Sequence, residues 1–243
     1  MRNRSALWLF LAAFFITAVS LSGCTPKASD GQASVSDDSA NDTDSMKEAS
    51  DEAAAPSETS ANVGAPTSTG GAFKTFKIYT DGSSPDNHYV PSGWMGDFGD
   101  LKTDEKFMTN PQAGTTCIKI VYTNKATQGA RWAGIYWQNP PNNWGTRPGG
   151  YDLTGARKLT FWARGEKGGE RIEEFKLGGI TGEYADSDVA GIGPVILTTE
   201  WQQFSIDLSG KDLSSISGGF CWATNLDVNP DGATFYLDDI AYE

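Results

Sequence analysis

The stretch Cys117-Ile118-Lys119-Ile120-Val121-Tyr122 decides the fold class. Its side chains alternate with a period of two, and an extended chain sends successive side chains to opposite faces. Gln203-Phe204-Ser205-Ile206-Asp207-Leu208 repeats the pattern. Outward from these two, short apolar runs bounded by Gly, Pro, Asn or Asp predict strands over 73–80, 130–138, 158–164, 172–180, 194–197, 219–224 and 233–242. No long segment places apolar residues at i, i+3, i+4 and i+7, so no amphipathic helix is expected. Nine or ten strands without helices predict an all-β protein, and the strand lengths fit one two-sheet antiparallel β-sandwich, a jelly roll.

The chain has 243 residues and a formal net charge of −12, unevenly spread. Residues 1–24 hold two Lys/Arg and no acid, residues 25–72 hold two against nine Asp/Glu, and residues 73–243 hold 15 against 22. An acidic folded part argues against nucleic acid as a partner, because phosphate binding needs a basic face. A single His argues against multi-His metal sites. All eight Tyr and seven of the eight Trp follow residue 72, so the core belongs to 73–243.

Arg2 and Arg4 precede an apolar stretch from Ala6 to Ser20, which ends in Leu21-Ser22-Gly23-Cys24. This resembles the signal peptide and lipobox of bacterial lipoproteins, and it implies lipidation at Cys24 and export to a membrane. The apolar stretch is short for a membrane span. In a Gram-negative source, the resemblance to lipoproteins implies that Thr25 in place of Asp favours the outer membrane or cell surface. Residues 25–72 lack Phe, Trp and Tyr and are rich in Ser, Ala, Thr and acids. Such composition cannot bury enough apolar surface to fold and predicts a disordered, extended tether.

The chain closes with Phe235-Tyr-Leu-Asp-Asp-Ile240. With Lys158-Leu-Thr-Phe-Trp-Ala-Arg-Gly165, Thr199-Glu-Trp-Gln-Gln-Phe204 and Gly218-Gly-Phe-Cys-Trp222, it resembles galactose-binding-like jelly-roll modules, among them many carbohydrate-binding modules of bacterial glycanases. The resemblance covers residues 73–243. It implies the sandwich and a polysaccharide or oligosaccharide partner. It leaves function open, because the same fold serves as a spacer.

Catalytic patterns are sparse. The acid arrangement Glu-x-Asp-x-x-Glu of retaining glucanases is absent, and Glu170-Arg-Ile-Glu-Glu174 has a different spacing. The residues therefore favour a non-enzyme. A structural or protein-interaction lipoprotein and a jelly-roll hydrolase or lyase are the alternatives.

Sugar binding needs aromatic faces beside hydrogen-bonding groups. The richest stretch is Arg131-Trp-Ala-Gly-Ile-Tyr136-Trp137-Gln-Asn-Pro-Pro-Asn-Asn-Trp144. On a strand, Trp132 and Tyr136 share one face while Arg131, Ile135 and Trp137 share the other, so one set must be core. Candidate sugar-binding residues are Trp94, Arg131, Tyr136, Trp137, Trp144, Glu174, Lys176 and Asp186. Trp222, Phe161 and Phe204 are expected in the core.

The family resemblance also implies one structural Ca2+ near the first and last strands. Asp238 or Asp239 would be ligands and Asp81 would add a second carboxylate; otherwise the closing pair only caps edge hydrogen bonds. Export allows a Cys117–Cys221 disulfide, whereas their place inside strands suits buried free thiols.

Overall fold

The computed structural model describes residues 72–243. The expected signal peptide at 1–24, with Cys24, lies outside the described residues, as does the expected tether up to residue 71. Among the described residues there is no α-helix. Thirteen strands appear: β1 Phe76–Tyr79, β2 Val90–Gly96, β3 Leu101–Phe107, β4 Cys117–Tyr122, β5 Trp132–Gln138, β6 Lys158–Gly165, β7 Arg171–Ile172, β8 Glu174–Gly178, β9 Val189–Ile192, β10 Val195–Ile196, β11 Gln202–Asp207, β12 Gly218–Asn225 and β13 Ala233–Tyr242. A 3-10 turn at Phe98–Asp100 joins β2 to β3.

The strands form two antiparallel sheets and a small β7–β10 pair. The front sheet runs β2-β5-β12-β8-β9, and the back sheet runs β11-β6-β13-β4-β3 with β1 also on β13. Strand β4 pairs with the first half of β13, from Ala233 to Leu237, while β1 takes the second half through Phe76–Tyr242 and Lys77–Ala241.

Alternation decides which residues become core. In β4 the buried Ile118, Ile120 and Tyr122 point inward. The same cluster holds Phe161, Phe235 and Leu237 of the back sheet, with Ile135, Phe175, Phe220 and Trp222 of the front sheet. Rings interdigitate between the sheets: Phe161 lies 4.6 Å from Phe175, and Trp222 lies 4.9 Å edge-on from Phe235. The Tyr242 hydroxyl crosses to donate to the Gly219 carbonyl at 2.6 Å. Shared burial of these aromatics is the main force holding the sheets face to face. The fold is thus the expected two-sheet sandwich.

Strands β2, β3 and β9 have no counterpart in the sequence-predicted set, and all three lie at sheet edges. An edge strand leaves one side unpaired, so it tolerates Pro91 in β2 and the charges of Leu-Lys-Thr-Asp-Glu-Lys-Phe in β3.

Of the two alternatives for Cys117 and Cys221, the structure has the buried free thiols. Cys117 is in the back sheet and Cys221 in the front sheet, and both are buried free thiols. Neither belongs to the core cluster between the sheets, where a bridge would have to run. Burial pushes the Cys117 thiol up to about 11 and the Cys221 thiol higher still.

Candidate functional site

The outer face of the front sheet is assembled from alternate residues of four strands. Strand β5 contributes Trp132, Gly134, Tyr136 and Gln138. Directly opposite residues of antiparallel strands share a face. Hence β12 adds Cys221 against Tyr136, Ala223 against Gly134 and Asn225 against Trp132. Strand β8 adds Lys176 against Cys221 and Glu174 against Ala223, and β2 adds Gly93 and Met95. The middle of this face is low. A Cβ on Gly134 would sit 2.5 Å from the Trp222 carbonyl oxygen and 3.0 Å from the end of Met95, so only glycine fits.

Aromatic rings rise at both ends of this floor. Trp132, 40% exposed, opens β5. At the other end, Trp144, 41% exposed, stands on Tyr136 with ring centroids 5.8 Å apart and planes at 87°. Four residues of strand separate Trp132 from Tyr136, roughly 13 Å. Tyr136 is buried under Trp144, and its hydroxyl donates to the Gly178 carbonyl at 3.1 Å. Burial raises its pKa far above the ordinary tyrosine value, so it is a neutral support.

The loop that displays Trp144 is braced on both sides. The Gln138 amide donates to the Asn143 carbonyl at 3.0 Å and accepts from Ser92 at 3.0 Å. The Tyr184 N–H donates to the Gly145 carbonyl at 3.0 Å, which ties in the loop carrying the exposed Tyr184. Gly145 has φ +77, and a Cβ there would meet the Thr181 carbonyl oxygen at 2.0 Å.

Between the aromatic ends lies one ion pair. Lys176 and Glu174 meet at 2.8 Å, and the Lys176 ammonium is 5.7 Å from the Tyr136 ring centroid. Both side chains keep solvent-facing surface. The face thus offers flat rings, a narrow floor and one donor–acceptor pair. It suits an extended polar ligand with apolar ring surfaces.

Of the sequence candidates, Tyr136, Trp144, Glu174 and Lys176 come together here. Four others do not. Trp137 is 1% exposed and packs edge-on against Phe220 at 5.5 Å, so it is core. Trp94 lies opposite the core residue Ile135 in the β2–β5 register, so it faces away from this site at the sheet edge. Arg131 pairs with Asp227 at 2.8 Å at an exposed turn before β5. Asp186 accepts from the N–H groups of Ile180 at 3.0 Å, Ser217 at 2.5 Å and Gly218 at 3.3 Å, so it fastens a loop to the start of β12 and is not free for a ligand. Sequence candidates omitted Trp132 and Tyr184. The Trp132–Tyr136 alternation was the available signal for the first. Tyr184, in a Gly- and Asp-rich loop, carries no such signal.

Glu170 and Glu174 do not form a catalytic pair. Glu170 lines a separate end cleft of about 380 Å3 between the β6–β7 turn and the β12–β13 loop, whereas Glu174 belongs to the front face. The Glu170 carboxylate accepts from the Lys167 N–H at 2.8 Å and lies against Gly165, where it fills the space a side chain would need.

Of the three expected calcium ligands, Asp81 and Asp238 are committed to protein donors, while among the described residues the Asp239 carboxylate is not. One Asp81 oxygen accepts from the N–H and hydroxyl groups of both Thr115 and Thr116. Asp238 accepts from Gln112, Ala113 and Asp239 N–H groups with its two oxygens. Among the described residues no group of three His, Cys, Asp or Glu side chains could hold a metal. Asp81 and Asp238 instead pin the β3–β4 loop to the back sheet.

No protein-family model and no curated protein matches the sequence. Solved structures similar to the chain include a family 30 carbohydrate-binding module, at 19% identity over 70% of this chain and 98% of that chain, with a TM-score of 0.49. A family 11 carbohydrate-binding module of a Clostridium thermocellum cellulosomal cellulase matches at 13% identity over 68% and 93%, with a TM-score of 0.42. The CBM22-1 xylan-binding domain from Paenibacillus barcinonensis matches at 12% over 70% and 92%, with a TM-score of 0.39.

Proposed function

We propose that residues 73–243 form a non-catalytic carbohydrate-binding module, and that the front face holds a polysaccharide or oligosaccharide chain. The carrying observation is the placement of two exposed tryptophans, Trp132 and Trp144, at opposite ends of one floor with the Lys176–Glu174 pair between them. Pyranose rings present flat C–H surfaces that stack on indole, while hydroxyls at the ring edge bond to an ammonium and a carboxylate. Tyr184, exposed and tied through its N–H to the Gly145 carbonyl, adds an aromatic residue to the loops at the Trp144 end. Plant or microbial β-glucans and related glycans are the class proposed.

With lipidation at Cys24, the same proposal makes the module a ligand-capturing head on a membrane lipoprotein at the outer membrane or cell surface. The 48 residues from 25 to 72 then serve as its reach.

The test is affinity electrophoresis and calorimetry of the full chain against β-glucan, xylan, mannan and galactan. Saturable binding to at least one, weakened by Trp144→Ala, supports the proposal. A folded protein that binds none of them overturns it and leaves the structural lipoprotein as the account.

A further inference from the structure

A cleft of about 260 Å3 opens on the outer face of the back sheet, on the far side of the sandwich from the front face. Lys77, Trp162, Gln203 and Asp239 are among the residues that line it. A β-bulge shapes it. The β13–β6 register slips between Asp238 and Ala241, and Asp239 takes φ +44, a conformation that side chains other than glycine adopt at a cost.

The bulge gives the two neighbouring carboxylates different tasks. Asp238 is fully buried and holds the β3–β4 loop through Gln112 and Ala113. The Asp239 carboxylate lines the cleft, and among the described residues it accepts no hydrogen bond and joins no ion pair. Trp162 is partly exposed and lies directly across from the exposed Gln203 in the β11–β6 register. The cleft therefore combines an indole, an amide, an uncommitted carboxylate and an ammonium. Glu243 also lines the cleft but is neutralised by Lys158 at 2.7 Å, and Lys77 and Asp239 carry opposite charges, so the lining favours a neutral ligand rich in hydroxyls. Its volume suits one ring better than a chain.

We propose that this cleft is a second carbohydrate site, which takes a single neutral pyranose against Trp162 with Asp239 and Gln203 bonding its hydroxyls. It goes beyond the front-face proposal and does not depend on it. Occupied together, the two faces would let one domain hold a glycan chain and a separate sugar ring.

The experiment follows the indole N–H signals of the full chain by NMR during titration with methyl glycosides of glucose, galactose, mannose and xylose, and separately with cellohexaose. Wild type and Trp144→Ala are expected to show a saturable shift of the Trp162 signal with at least one monosaccharide. The Gln203→Ala/Asp239→Asn double variant is expected to lose that shift; asparagine tolerates the left-handed conformation at 239. Movement of the Trp132 and Trp144 signals alone would overturn the second site and leave the front-face proposal standing. Movement of Trp162 alone would support the second site and remove cello-oligosaccharides from the front face. A Trp162 shift undiminished in the double variant would overturn the assignment of Asp239 and Gln203, and no movement of any indole would overturn the second site and remove cello-oligosaccharides from the front face.

Discussion

The Trp144 ring stands edge-on to Tyr136, 5.8 Å between centroids, so an exposed ring rests on a buried one. The two residues therefore divide display from support. Trp144→Ala removes surface that faces solvent and is expected to leave the melting temperature nearly unchanged. It should weaken glycan binding by about 1–3 kcal/mol, the scale of burying one large aromatic. Tyr136→Ala empties a buried position and should cost about 3–5 kcal/mol of stability. Calorimetric binding and thermal unfolding of the two variants check the division, and unfolding of Trp144→Ala would contradict it.

Gly145 sets where that display occurs. Its φ of +77 and the 2.0 Å approach of the Thr181 carbonyl oxygen to a built Cβ leave no room for a side chain. Gly145→Ala should destabilise by at least about 1 kcal/mol from the left-handed backbone alone. It should also weaken glycan binding, because the loop must move with Trp144. Near-UV circular dichroism and a binding isotherm measured together check this. Unchanged affinity would show that the loop position is not needed.

Asp186 bears on stability and not on ligand contact. Asp186→Ala strands three backbone N–H donors, those of Ile180, Ser217 and Gly218. At about 1–3 kcal/mol for each buried donor left unmade, the loss should reach about 3 kcal/mol or more. Denaturant unfolding reads it directly. A variant of wild-type stability with lost glycan binding would return Asp186 to the binding site.

Burial raises Asp238 to about 6, against the lowering effect of its backbone donors. The folded state thus takes up a proton more readily than the unfolded chain between the ordinary aspartate value and pH 6. Stability contributed by this group is greatest below that window and falls as pH rises through about 6, after which it is flat. Asp238→Asn should abolish this part of the slope. Unfolding free energies of both proteins from pH 4 to 8 check it. Parallel curves would show that Asp238 does not titrate differently in the two states.

Much of the sandwich was legible because central strands are buried by alternation. Phe235 and Leu237 point inward from β13, which coincides with the predicted stretch 233–242. The edge strands were not legible, since β3 is half solvent-facing and carries Lys102, Asp104, Glu105 and Lys106. At the candidate site the limit was different. Sequence showed that Trp132 and Trp137 must lie on opposite faces, but not which face is core. That depends on β12, where Phe220 and Trp222 complete the inner layer beside Trp137 and Ile135. Trp94 failed for the same reason, because a bulge between Pro91 and Gly93 sets its register. The carboxylates failed differently. Asp81, Asp186 and Asp238 were chosen as ligand-facing acids, yet each is spent on backbone N–H groups from distant loops, and pairings of that kind have no local sequence mark.

Strand β13 is the last of the thirteen, and it occupies the middle of the back sheet with β4, β6 and β1 all paired to it. Until β13 is in place, β1 has no partner among the described residues, and β4 and β6 have only β3 and β11 on their other sides. Their loop-closure entropy is met only when contacts of very long sequence separation form, which places the domain among slowly folding topologies. Before that moment β4 and β6 expose hydrogen-bonding edges and apolar faces together, the combination most prone to association between chains. A chain exported before folding would need those edges shielded until its C-terminal strand arrives.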